Sequence, residues 1–194
     1  SNGTSVAQGV VDIGTPGTYQ VHYDAVDASG NQATRIYRTV TVRDTTKPNL
    51  FLQGLPEIAI ETFGFYQDQG ALWVDAVDGH GQAEVNGSVD FNKPGSYVLT
   101  YRYSDAAGNP ADPVLRTIVV RDTVPPLLRL NGSSSVVHEA GLPYIDLGAT
   151  WSDAVDGNGT LSGIGIVDYS KPGTYSLNFV FSDSSGNVAE ALTR

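Results

Sequence analysis

Hydrophobic and polar residues alternate along this chain with the two-residue period of strands that bury one face. Tyr97, Leu99, Tyr101 and Tyr103 alternate with Val98, Thr100 and Arg102, and the pattern returns as Tyr175, Leu177, Phe179 and Phe181 against Ser176, Asn178, Val180 and Ser182. Further short apolar runs at 50–53, 58–61, 71–74 and 115–120 are separated by Gly, Pro, Asp and Asn, the residues that turn a chain. No stretch reads as a helix. The pattern predicts an all-β protein built of antiparallel sandwiches, with about seven strands in each complete unit.

The turns themselves repeat. Pro16-Gly-Thr-Tyr19, Pro94-Gly-Ser-Tyr97 and Pro172-Gly-Thr-Tyr175 follow one another at a constant step of 78 residues, as do Asp27-Ala-Ser-Gly-Asn31, Asp105-Ala-Ala-Gly-Asn109 and Asp183-Ser-Ser-Gly-Asn187. Arg43-Asp44-Thr45 maps by the same step onto Arg121-Asp122-Thr123, Asp75-Ala-Val-Asp-Gly79 onto Asp153-Ala-Val-Asp-Gly157, and Trp73 onto Trp151. A period of this size defines the organisation of a chain before any single motif does. Three repeats are predicted: 1–43 as the second half of one unit, 44–121 as a complete unit, and 122–194 as a unit lacking its last strand, the equivalent of 117–120. These ends read as a window cut from a longer array. The Pro-Gly-x-Tyr element predicts a tyrosine corner, in which the Tyr hydroxyl bonds the preceding backbone.

Asp122-Thr-Val-Pro-Pro at the start of a unit, Asp153-Ala-Val-Asp-Gly157 in its middle, Lys171-Pro-Gly-Thr-Tyr175 before the last hairpin and Ser182-Asp-Ser-Ser-Gly-Asn187 at its turn resemble the immunoglobulin-like repeats of bacterial surface proteins, related to the hyalin-repeat type. The resemblance covers the whole chain. It implies an extracellular location, at the cell surface or secreted, as a stalk, an adhesin or an accessory region.

Composition narrows the chemistry. The 194 residues hold 11 Lys and Arg against 21 Asp and Glu, a formal charge of −10, and counterion release by basic side chains, the driving force of phosphate binding, is in short supply. No nucleic-acid partner is expected. No window approaches the ~18 apolar residues of a membrane helix, so no membrane insertion by this segment is expected either. Without cysteine, disulfides, thiolate catalysis and Cys-based metal sites are excluded. His22, His80 and His138 do not recur at the repeat spacing, and no nucleophile or zinc-hydrolase motif occurs. The chain is read as not an enzyme.

The recurrent aspartates are the candidate site. Alternation of strand direction in an immunoglobulin-like sandwich brings the second-to-third and sixth-to-seventh loops beside the incoming linker. This groups Asp44, Asp75, Asp78 and Asp105 in one repeat and Asp122, Asp153, Asp156 and Asp183 in the next. Four carboxylates at a junction repel one another unless a cation intervenes, and Ca²⁺ takes 6–8 oxygens, so a calcium-stiffened hinge is one expectation. The other is that these residues are turn formers, their side chains accepting backbone N–H bonds, with Arg43 and Arg121 as neutralising neighbours. Trp73 and Trp151 are expected in the core, the competing reading being a surface for stacking sugars.

Function follows as an expectation from this frame: a non-catalytic extracellular stalk or spacer of tandem repeats, calcium-rigidified and contributing to adhesion. The partners expected are neighbouring repeats of the array and a surface glycan or protein. Two alternatives stand beside it. One is a glycan- or protein-binding accessory module of a secreted hydrolase. The other is a filament subunit assembled by strand donation into the open edge of the third repeat, where an unpaired edge is a template for another chain.

Overall fold

A computed structural model describes residues 4–194; residues 1–3 of the first predicted repeat lie outside it. Among the described residues no helix forms. In the first repeat β1 (Thr4–Gln8), β2 (Gly17–Val26) and β3 (Ile36–Val42) make a three-stranded antiparallel sheet in chain order.

The second repeat holds seven strands. β4 (Asn49–Leu52), β6 (Ala71–Asp75) and β7 (Gly79–Gln82) form one sheet, and β5 (Glu57–Glu61), β8 (Glu84–Asn86), β9 (Gly95–Arg102) and β10 (Val114–Arg121) form the other in the order β5-β10-β9-β8. One pair departs from the expected antiparallel arrangement: β5 runs parallel to β10, from Thr117 opposite Glu57 to Arg121 opposite Glu61. A first strand that crosses from one sheet to the other must lie parallel to the last, because both leave the same pole. The two-residue period is visible in β10, where Arg116, Ile118 and Val120 are buried and their neighbours are not.

In the third repeat β11 (Leu127–Leu130), β12 (Ala149–Asp153) and β13 (Gly157–Leu161) reproduce the first sheet. The second sheet is reduced to β14 (Asn178–Phe179) and β15 (Leu192–Thr193), shorter than the alternation from Tyr175 to Phe181 predicts. The reason is pairing: residues 117–121 supply β9 and β5 with partners, and no strand occupies that place in the third repeat among the described residues.

By contacts the described residues gather into two compact units, one of 4–56, 68–87 and 99–116, the other of 57–67, 88–98 and 117–194. The first has Ala71, Leu99, Tyr101 and Arg116 at its centre. The second buries Ile118 and Val120, together with a cluster of Leu128, Ala149, Leu177, Phe179 and Ala189.

All three tyrosine corners form. The hydroxyls of Tyr19, Tyr97 and Tyr175 donate to the carbonyls of Thr15, Lys93 and Lys171 at 2.7, 2.9 and 3.1 Å. Phe63 lies in the left-handed region at φ 59°, where the third repeat has Gly141 at 86°; a bulky residue there carries strain of about 1–3 kcal/mol.

Candidate functional site

Each acidic cluster is assembled from three turns, and in each turn the aspartate has a local task. Asp75 Oδ1 accepts from the backbone N–H groups of Val77 (2.7 Å) and Asp78 (3.0 Å), and Asp153 Oδ1 does the same for Val155 (2.7 Å) and Asp156 (2.8 Å). These bonds close the β6–β7 and β12–β13 turns. Asp105 and Asp183 close the hairpins after β9 and β14: Oδ1 accepts from the N–H of Asn109 or Asn187 at 2.7 Å, and Oδ2 from the same asparagine's amide at 2.8 Å. In the linkers, Asp44 Oδ1 accepts from Thr46 N at 3.0 Å and Asp122 Oδ1 from Val124 N at 3.2 Å.

The linkers are drawn to the hairpins by the same asparagines. Asn109 Nδ2 donates to the carbonyls of Asp44 (3.4 Å) and Thr46 (3.3 Å), and Asn187 Nδ2 to that of Asp122 (3.1 Å). The result is two carboxylate triads, Asp44–Asp75–Asp105 and Asp122–Asp153–Asp183, each with one carboxylate oxygen per residue within 4.8 Å of the others. Each triad lies inside one compact unit. Asp75, Asp105, Asp122 and Asp183 are only 6–8% exposed, while Asp44 and Asp153 are half-buried.

Asp78 and Asp156, grouped with the triads by sequence, stand outside them. Asp78 Oδ2 accepts from Ala106 N at 2.6 Å; Asp156 accepts from Ser184 N at 2.6 Å and Ser184 Oγ at 2.7 Å. They latch one loop to the other. The arginine alternative finds no geometric support, since the ion pairs formed among the described residues involve His22, Arg35, Lys47, Arg116, Lys171 and Arg194, not Arg43 or Arg121.

Burial of Asp105 and Asp183 works to raise their pKa, but the asparagine amide and the surrounding backbone N–H groups outweigh it and hold both below the ordinary carboxylate value. Three oxygens have no such donors: Asp44 Oδ2, Asp75 Oδ2 and Asp122 Oδ2 are buried and unpartnered. An ionised carboxylate only accepts, so each calls for a water or a cation. The donor set is all oxygen and anionic, which fits a hard divalent ion and not zinc or copper.

Trp73 stacks on Tyr103 with ring centroids 3.9 Å apart, and Trp151 on Phe181 at 4.3 Å. Gly81 and Gly159 stand directly across the strands from them, where a Cβ would approach the indoles to 2.8 and 2.7 Å. Half-buried between aromatic and glycine, these rings close sheet faces and offer little free surface to a sugar.

Sequence reasoning missed the buried arginines. Arg116, fully buried, pairs with Asp68 and donates to the carbonyls of Gln53 and Leu55. Arg194 repeats this 78 residues on with Asp146 at 2.7 Å and the carbonyls of Asn131 and Ser133. The repeat step carries the signal, since Asp68 and Asp146 are themselves 78 apart.

A groove of about 470 Å³ lies in the third repeat between Ser135–Glu139 and Lys171–Leu177. These segments correspond to β5 and to the start of β9, so the groove is the place that β10 fills in the second repeat. Its one histidine, His138, engages the Leu142 carbonyl at 3.0 Å through Nε2.

Seven strands in two sheets, a tyrosine corner and an aspartate-rich linker define a tandem immunoglobulin-like repeat protein. The chain belongs to the family described as bacterial surface protein, Ig-like domain, which it matches over residues 4–42, 50–120 and 128–194. It is also similar to two sea-urchin proteins named hyalin: 30% identical over 193 residues to that of Strongylocentrotus purpuratus and 28% over 200 residues to that of Lytechinus variegatus. These similarities take in 91% and 93% of the chain but only 16% and 36% of the relatives' lengths. The chain is thus an Ig-like repeat module of the surface and extracellular kind.

Proposed function

We propose that the chain acts as a non-catalytic spacer, holding other parts of an extracellular or surface protein at a distance. The observation that carries this reading is the attachment of each linker to the repeat that follows it: Asn109 to the Asp44 and Thr46 carbonyls, Asn187 to that of Asp122. Lys47-Pro48 and Pro125-Pro126 remove further freedom from the same linkers. Calcium at the triads would complete the restraint. Adhesion through a glycan or protein would then belong to exposed loops, because the tryptophans are covered.

The experiment is small-angle scattering on the native chain and on the Asn109→Ala, Asn187→Ala double variant. A narrow distribution of maximum dimension that broadens in the variant is expected; a broad distribution already present in the native chain would overturn the spacer reading. The groove favours a second reading, acceptance of an extended strand with the alternation of Thr117–Val120 from a second copy. Mass that grows with concentration in the same scattering series would support it.

A further inference from the structure

We infer that the two carboxylate triads are Ca²⁺ sites, one built by Asp44, Asp75 and Asp105 and the other by Asp122, Asp153 and Asp183, and that Asp78 and Asp156 are positioning residues, not ligands. This deepens the calcium part of the reading above, and its test is a binding stoichiometry, independent of the length that tests the spacer.

An acidic cluster alone would not carry the assignment, because aspartates serve turns equally well. In Asp44, Asp75 and Asp122 the turn-forming task is discharged by one oxygen, and the other is left over. Asp75 and Asp122 are each 7% exposed, and in both Oδ1 is taken by turn amides while Oδ2 is buried without a donor. Asp44 Oδ2 adds a third such atom. Leaving a buried carboxylate oxygen unmet is costly, and three carboxylates within 4.8 Å compound it by mutual repulsion. Water would satisfy the lone pairs but not the charge. A divalent cation meets both.

The ion's identity follows from the donors. No His belongs to either triad, and hard carboxylate oxygens select Ca²⁺ or Mg²⁺. The ligands come from three separate segments, a linker, the last residue of β6 or β12 and a hairpin turn, so no single rigid element imposes the octahedron at about 2.0–2.1 Å that Mg²⁺ demands, whereas Ca²⁺ accepts variable geometry at about 2.3–2.6 Å. Three carboxylates with water completing the shell place the affinity at about 10⁻⁴–10⁻³ M, the class of extracellular modules. Asp78 and Asp156 are excluded as ligands because they do not join the groups whose oxygens lie within 4.8 Å of one another; bonded to Ala106 N and to Ser184, they hold the β9–β10 and β14–β15 hairpins against the neighbouring turns.

Isothermal titration of the chelator-stripped native chain with CaCl₂ tests the assignment. Two ions per chain are expected, falling to one in Asp75→Asn and to none in Asp75→Asn, Asp153→Asn. Asn retains the oxygen that closes each turn, so circular dichroism should stay native; if Asp75→Asn misfolds, Asp44→Asn removes the same site from the linker side. Asp78→Asn should still bind two ions, with affinity weakened at its own site alone. Absence of saturable uptake at about 10 mM Ca²⁺, well above the weakest extracellular sites, overturns the inference. So does a stoichiometry of two retained by folded Asp75→Asn and Asp44→Asn variants.

Discussion

Asp27 and Asp105 occupy the same turn in the first and second repeats, and their surroundings differ. Around Asp27 the turn is complete: Oδ1 accepts from Ser29 N at 2.9 Å and Asn31 N at 2.8 Å, and Oδ2 from Asn31 Nδ2 at 2.8 Å. Asp105 is held by its asparagine in the same way, yet it is buried and stands beside Asp44 and Asp75, whereas Asp27 is exposed and belongs to no triad among the described residues. Arg38 and Arg116 show the same contrast. Arg38 is exposed and lies over the Tyr23 ring at 5.6 Å; Arg116 is fully buried in a network with Asp68 and two carbonyls. The turn is therefore autonomous, while burial and charge clustering are supplied by the segments 44–75 that cover the second repeat.

The largest test of this contrast is the arginine pair. Arg116→Ala removes the buried cation that pairs with Asp68 and donates to two carbonyls and should cost about 3–5 kcal/mol, whereas Arg38→Ala should stay within about 0.5 kcal/mol; urea unfolding measures both, and equal costs would break the comparison. The tyrosine corners should show no such contrast, because each bond spans four residues of one turn. Tyr19→Phe and Tyr97→Phe should each cost about 0.5–1 kcal/mol, and a clear difference in midpoint between the two would show that the corner also depends on the covering segments.

The smallest effect is expected from acid. Asp27, Asp105 and Asp183 are all held below the ordinary carboxylate value, Asp27 chiefly by the Asn31 side chain and the other two by hydrogen bonds that overcome burial. A depressed native pKa contributes stability that is complete above the unfolded value of about 3.9 and is lost as pH falls through the native one. Melting temperatures should then be flat from neutrality to about pH 5 and decline below pH 4. Asp27→Asn and Asp105→Asn should each remove part of that decline; an unchanged acid profile in both would show that the turn hydrogen bonds do not set it.

Much of this molecule is legible along the chain, and the boundary is physical. The alternation in Tyr97–Tyr103 and Leu115–Val120 reads out strands because side chains on a pleated backbone must face opposite ways. Pro-Gly-x-Tyr and Asp-x-x-Gly-Asn read out turns because their bonds close within five residues. The 78-residue step links Asp44 to Asp122 and Asp75 to Asp153 with no structure at all. What the chain did not disclose is which of four aspartates faces the others: Asp75 and Asp78 are three residues apart in one loop, one entering the triad and the other reaching Ala106 N.

The same boundary divides Trp73, whose partners Tyr103 and Gly81 come from two other segments, and the second sheet of the third repeat, where Tyr175–Phe181 has the pattern of a long strand and only Asn178–Phe179 forms one. Propensity, turn chemistry and repeat length depend on neighbours in sequence and were present in the residues themselves. Burial of Arg116, the unpartnered oxygens of Asp75 and Asp122, and the completion of a strand depend on segments tens of residues away. Desolvation and pairing are set by what lies against a group in space, and that is decided only when the sheets close.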